Sequence, residues 1–208
     1  MKVTMNRIGK NIFFILCYIM TGCNHNLDNL SPREYVRFLS SQESGLSQTK
    51  TIDDIKFKCK LQIPSLITLL SSAATYTSKE QFDTEKDYHK NQLTVVFLIE
   101  DDSHLNHRVK ETIFKTDLYS KLISYSNNEL QKDFALQLSN GEIVPCGFVH
   151  LEAANSVAPI IRISATFYNN KSDMDDCTII FDDNIFNSGR IKFHYNSKIF
   201  NNLPTLKI

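Results

Sequence analysis

Residues 55–63 read "IKFKCKLQI", and this stretch decides the fold. Ile55, Phe57, Cys59, Leu61 and Ile63 take one side; Lys56, Lys58, Lys60 and Gln62 take the other. Period-two alternation over the whole stretch means a strand with one buried and one solvated face, as antiparallel sheets have. Pro64 stops it, because proline cannot donate to a ladder.

Outward from this strand, the chain divides into a mixed first half and a β-rich second half. Upstream, Ser31-Pro32-Arg33-Glu34 is a helix start: serine caps, proline suits the first helical position and the glutamate completes a capping box. Tyr35, Val36, Phe38 and Leu39 follow at helical spacing, and Gly45 ends the segment. Downstream, residues 65–75 open a second helix, and the polar run 78–91 is an exposed helix or a loop. "LTVVFLIE", residues 93–100, is uniformly apolar and so a central strand. Residues 101–112 form a charged connection, and 116–126 an amphipathic helix. In the second half, Asn140-Gly141 between two alternating runs is a strong hairpin signal. Strands are expected at 159–167, 177–183 and 189–195, with a final edge strand at 203–208. The expectation is an α+β fold, predominantly antiparallel β: a sandwich-like sheet of seven or eight strands with a few short helices mainly in the N-terminal half.

Composition agrees with a packed domain. The 208 residues include 14 Phe and 8 Tyr but no Trp, and only 6 Gly. Acidic and basic residues balance at 23 each, which excludes the basic excess of a nucleic-acid binder. Six glycines cannot build a phosphate-cradling Gly-rich loop, and G-x-S-x-G, H-E-x-x-H and dinucleotide fingerprints are missing from the sequence.

The N-terminus reads as an address. Lys2, Arg7 and Lys10 precede the apolar run Ile12–Met20, and no acidic residue occurs before Asp28. A basic region followed by a short apolar one is a secretory signal. The run is too short to span a bilayer, which takes about 20 apolar residues. Met20-Thr21-Gly22-Cys23 then resembles the bacterial lipobox, in which a large apolar and two small residues precede the cysteine that is lipidated. The resemblance implies a leader over residues 1–22, an acylated Cys23 (palmitate is a typical chain), a tether over 23–30 and a single globular domain over 31–208. An ordinary secretory signal with an incidental Cys23 is the alternative. Each buried methylene contributes about 0.8 kcal/mol, so two or three acyl chains hold a protein stably on its membrane. The expected location is the bacterial cell envelope, on the outer rather than the inner membrane, with the bilayer as one partner, an envelope protein as a second and no nucleic acid.

Three constellations are candidates for chemistry. Cys146, His150 and Glu152 in "CGFVHLE" fall, with Phe148, on one face of a strand, and thiol, imidazole and carboxylate together can activate a nucleophile or hold a metal. Against this, Phe148 marks that face as core. His104 and His107 with Asp101 and Asp102 in "EDDSHLNH" can gather a divalent ion, or form a solvated loop. The acidic stretches 172–176 and 181–184 are oxygen-rich but lack the EF-hand glycine and closing glutamate. Cys59, Cys146 and Cys177 allow at most one internal disulfide, and all three sit in strand-like runs where buried thiols are the simpler expectation. No cofactor is expected.

The order of features also resembles a family of uncharacterised bacterial envelope lipoproteins. The matching positions are Tyr35 in the first helix, Gly45-Leu46, Pro64, Pro145-Cys146, Glu152 and Pro159; Trp is lacking in the first helix. That resemblance implies an address and no reaction. The functional expectation is a non-enzymatic binding or assembly module. A hydrolase using Cys146, His150 and Glu152 is one alternative, and an immunity-type or purely structural surface lipoprotein is another.

Overall fold

A computed structural model describes residues 29–71, 78–102, 107–153, 159–168 and 175–208. Cys23 and the leader lie outside the described residues.

Helix α1 (Pro32–Ser40) starts where its cap predicts: the Glu34 carboxylate accepts from the Ser31 N–H at 3.0 Å and from its hydroxyl at 2.6 Å. It buries Tyr35 and Leu39. Gly45 then turns with φ +71°, and β1 (Ser47–Ile52) runs into β2 (Ile55–Gln62) through Asp53 and Asp54, both at positive φ. Helices α2 (Pro64–Ser71) and α3 (Lys79–Tyr88) lead to β3 (Gln92–Asp101). Helices α4 (Arg108–Phe114) and α5 (Thr116–Asn128) and a 3₁₀ turn (Leu130–Asp133) lead to β4 (Phe134–Leu138). The Asn140-Gly141 hairpin forms as expected, with Gly141 at φ +85°, and returns as β5 (Ile143–Pro145). Strands β6 (Phe148–Leu151), β7 (Ile161–Tyr168), β8 (Cys177–Asp183) and β9 (Gly189–Tyr195) follow, then α6 (Ser197–Asn201).

Two antiparallel sheets result, ordered β1-β2-β3-β7-β6 and β5-β4-β8-β9. The fold is α+β with sandwich-like sheets, as the alternation predicted. Along β2 every second residue is buried, Ile55 to Leu61, and the lysines face out. The two sheets meet through phenylalanines. Phe97 of the first sheet lies 4.7 Å from Phe181, 5.5 Å from Phe134 and 5.6 Å from Phe193 of the second. Tilted and edge-on pairs of this kind contribute about 0.5–1.5 kcal/mol each beyond the area they bury. The buried Tyr195 hydroxyl of β9 donates to the Cys59 carbonyl of β2 at 3.0 Å, a polar bond between the sheets.

The structure departs from the sequence reading in several places, among them the unexpected helix α6. Strand β1 was not expected; its "SQTKTI" is polar because it is an edge. The run 143–152 is not one strand: β5 belongs to one sheet and β6 to the other, with the crossing at Cys146-Gly147. Helix α4 replaces part of the charged connection. The 203–208 segment makes no strand, only a parallel bridge between Leu206 and Leu30. Beside that bridge, the Asn29 and Leu30 N–H groups donate to Thr205. No helix among the described residues is long and apolar enough to cross a membrane.

Candidate functional site

Among the described residues, the sheets are not closed over at one end of the sandwich. The chain leaves β2 at Ile63, enters β3 at Leu93, leaves β4 at Leu136 and Leu138 and enters β8 at Cys177, so all these ends lie together. A cleft of about 670 Å³ opens among them. That is within the ~300–1,000 Å³ of ordinary ligand sites. Its floor is continuous with the core: Ile63, Leu93 and Leu136 belong to the buried cluster. One wall is α3, which presents Lys79, Phe82, Asp83 and Lys86 at helical spacing, with Lys90 in the turn that follows. Phe82 is buried, while the lysines stand at the rim. The opposite wall is the C-terminal segment, with Phe200, Leu203 and Leu206.

The polar groups around the cleft are held in place. Tyr35 Oη and Ser65 Oγ are 3.0 Å apart, and burial pushes the Tyr35 phenol up. Asp176 accepts from the Ser197 N–H at 2.7 Å, and that bond holds its carboxyl below the usual range. Lys90 pairs with Asp87 at 3.0 Å. An apolar floor with a polar rim binds molecules by burying apolar surface.

The sequence-predicted residues lie elsewhere. Cys146 is buried just before β6, its Sγ hydrogen-bonded to the Phe148 carbonyl at 3.1 Å, and burial pushes its thiol up. Phe148, expected in the core, is 55 % exposed. The reason is the crossing: the chain turns between the sheets at Gly147, so the parity that placed Cys146 and Phe148 on one face is lost. His150 is exposed on β6, opposite Ser164. Glu152 pairs with Arg162 at 2.7 Å. Among the described residues no hydrogen bond or ion pair joins Cys146, His150 and Glu152.

His104 lies outside the described residues. Asp101 caps α4 by accepting from the Val109 and Lys110 N–H groups at 3.0 and 3.1 Å. Asp102 pairs with Lys56 at 2.9 Å, and His107 occupies the N-cap of α4. Of the acidic stretches, residues 172–174 lie outside the described residues. Asp182 forks onto Arg190 at 2.7 and 2.9 Å. Asp183 accepts from the N–H groups of Ile185, Phe186 and Ser188, which folds the turn before β9. Among the described residues no group of three or more His, Cys, Asp or Glu is placed to hold a metal. Cys59, Cys146 and Cys177 are free and buried. Burial drives the thiols of Cys59 and Cys177 up to about 12, far from nucleophilic at neutral pH.

The cleft was not foreseen. One signal for it stood in "SKEQFDTEKDYHKN": Phe82 among charges, with Lys79 and Lys86 on its side of the helix and Lys90 just past its end.

No protein-family model matches the chain, and no curated protein matches it. Among solved structures, the chain is similar to a DUF4426 family protein from Pseudomonas aeruginosa PAO1. The identity is 10%, the match covers 73% of this chain and 92% of that one, and the TM-score is 0.32. A likeness at that level establishes neither fold nor function.

Proposed function

We propose that this chain is a non-enzymatic binding module of the bacterial envelope, held there by an acylated Cys23, and that its ligand enters the cleft at the open end of the sandwich. The observation that carries the reading is the apolar floor of that cleft, continuous with the core at Ile63, Leu93 and Leu136. Above that floor the half-exposed Leu138, Phe200, Leu203 and Leu206 leave apolar surface for a ligand to cover, at about 25 cal/mol per Å² buried. A tether supports such a role by raising the local concentration of binder and ligand at the membrane.

A neutral solvatochromic dye such as Nile red tests the cleft. Binding should be saturable with the wild type and lost in Leu138→Arg or Leu203→Arg, whose charged side chains would occupy it. Both positions are partly exposed, so the variants keep their fold, which circular dichroism checks. Unchanged dye binding in both variants refutes the site. For the address, Cys23→Ala should lose the acyl mass and the membrane association of the mature protein.

A further inference from the structure

On the outer face of the five-stranded sheet the described residues are sorted by charge, with Lys58 and Lys60 half-buried and Val96 beside Lys60 buried. The strand register places Lys60, Val96, Ser164 and His150 in one row across β2, β3, β7 and β6. The next row toward one end is Lys58, Leu98 and Arg162. Toward the other end, Phe148 and Tyr168 project from the same face, 55 % and 56 % exposed. Carboxylates gather at the far end, where Glu100 and Asp102 pair with Lys56 at 3.5 and 2.9 Å. Two acidic groups border the basic rows: Glu100 in the adjoining row, which also acts on Lys60, and Glu152, which Arg162 takes at 2.7 Å. Lys58 and Lys60 make no ion pair among the described residues. Their charges are crowded: burial, then Lys58 and Arg162, depresses the Lys60 pKa. Neighbouring cations of one sign raise the local concentration of external anions.

We infer that this face rests on an anionic lipid surface, with Lys58 and Lys60 over the headgroups and Phe148 and Tyr168 seated at the interface. Three features favour a bilayer. The cations are spread over a broad sheet face rather than converging on a pocket. The aromatic rings flank the basic rows, as ring side chains do at the headgroup level of membranes. The whole chain balances 23 cations with 23 anions, so no general basic field draws nucleic acid. The inference stands independently of the cleft and of acylation at Cys23.

Flotation of the full-length protein with vesicles tests it, comparing phosphatidylcholine alone with phosphatidylcholine plus phosphatidylglycerol. The acyl chain or leader, with the leader's Lys2, Arg7 and Lys10, contributes alike to every variant, so the change in preference from wild type to variant reads this face. The wild type should prefer the anionic vesicles at low salt and lose that preference at high salt. Each of Lys58→Gln and Lys60→Gln should lower the preference about fivefold, and the double variant about 25-fold. The Lys58→Arg/Lys60→Arg variant should restore it. Phe148→Ser/Tyr168→Ser should weaken binding to both vesicle types. Equal wild-type binding to the two compositions, or an unchanged ratio in the double glutamine variant, overturns the inference. So does an RNA oligonucleotide that binds this face while anionic vesicles do not.

Discussion

Asp133 offers the sharpest test of how this fold handles charge. It closes the 3₁₀ turn before β4 and is 7 % exposed. The Tyr125 hydroxyl donates to one of its oxygens and the Asn184 amide to the other, at 2.9 Å for the amide. Burial, with Asp182 and Asp183 nearby, pushes its carboxyl up from an ordinary 3.8 to about 6. The fold therefore prefers the protonated acid. The stabilisation is fully present below the unfolded value near 3.8 and is lost as pH rises through about 6. At about 1.36 kcal/mol per pH unit the gap amounts to ~3 kcal/mol, and solvent at the turn's edge reduces it to about 1–2 kcal/mol. Asp133→Asn cannot ionise, yet it keeps an oxygen for Asn184 and an amide beside Tyr125. Urea unfolding followed by circular dichroism should show the variant about 1–2 kcal/mol more stable than wild type above neutrality. The difference should shrink between about pH 6 and pH 4 and vanish below the unfolded value near 3.8. Parallel pH profiles for the two proteins would refute the reasoning. A wild type more stable at high pH would show that the two hydrogen bonds to the carboxylate outweigh its burial.

Two further outcomes follow from the packing. Phe97→Ala removes the ring that meets Phe134, Phe181 and Phe193 across the sandwich, and should cost about 3–5 kcal/mol in urea unfolding; Phe97→Leu should cost less than half of that. Gly45→Ala places a Cβ 3.3 Å from Ile199 at φ +71° and should lower stability by about 1–2 kcal/mol, a loss that Gly45→Asn partly avoids because asparagine tolerates this region.

Much of the fold was legible because its signals are local. β8 and β9 fall on the expected residues, and β2 and β7 nearly so, since a strand with one wet face must alternate whatever it pairs with. Helix α1 announces itself through Ser31, Pro32 and Glu34, and the β4–β5 hairpin through Asn140-Gly141, where capping and turn chemistry act within a few residues. The cleft was legible only as one apolar residue on a charged helix, Phe82.

What the tertiary structure decided are the contacts made at long range. Strand β1 is hidden by its polarity, yet its Gln48 side chain donates to the His194 carbonyl at 2.5 Å and its Lys50 ammonium lies 5.7 Å from the centre of the Phe193 ring. Those inward polar groups cover the side of the sandwich between two edge strands, a task no alternation encodes. Likewise, nothing near Cys146 says that the chain leaves one sheet there for the other. That step buries the thiol and turns Phe148 out to solvent. A strand's own residues determine its period, but which sheet it joins and what covers its faces depend on segments a hundred residues away.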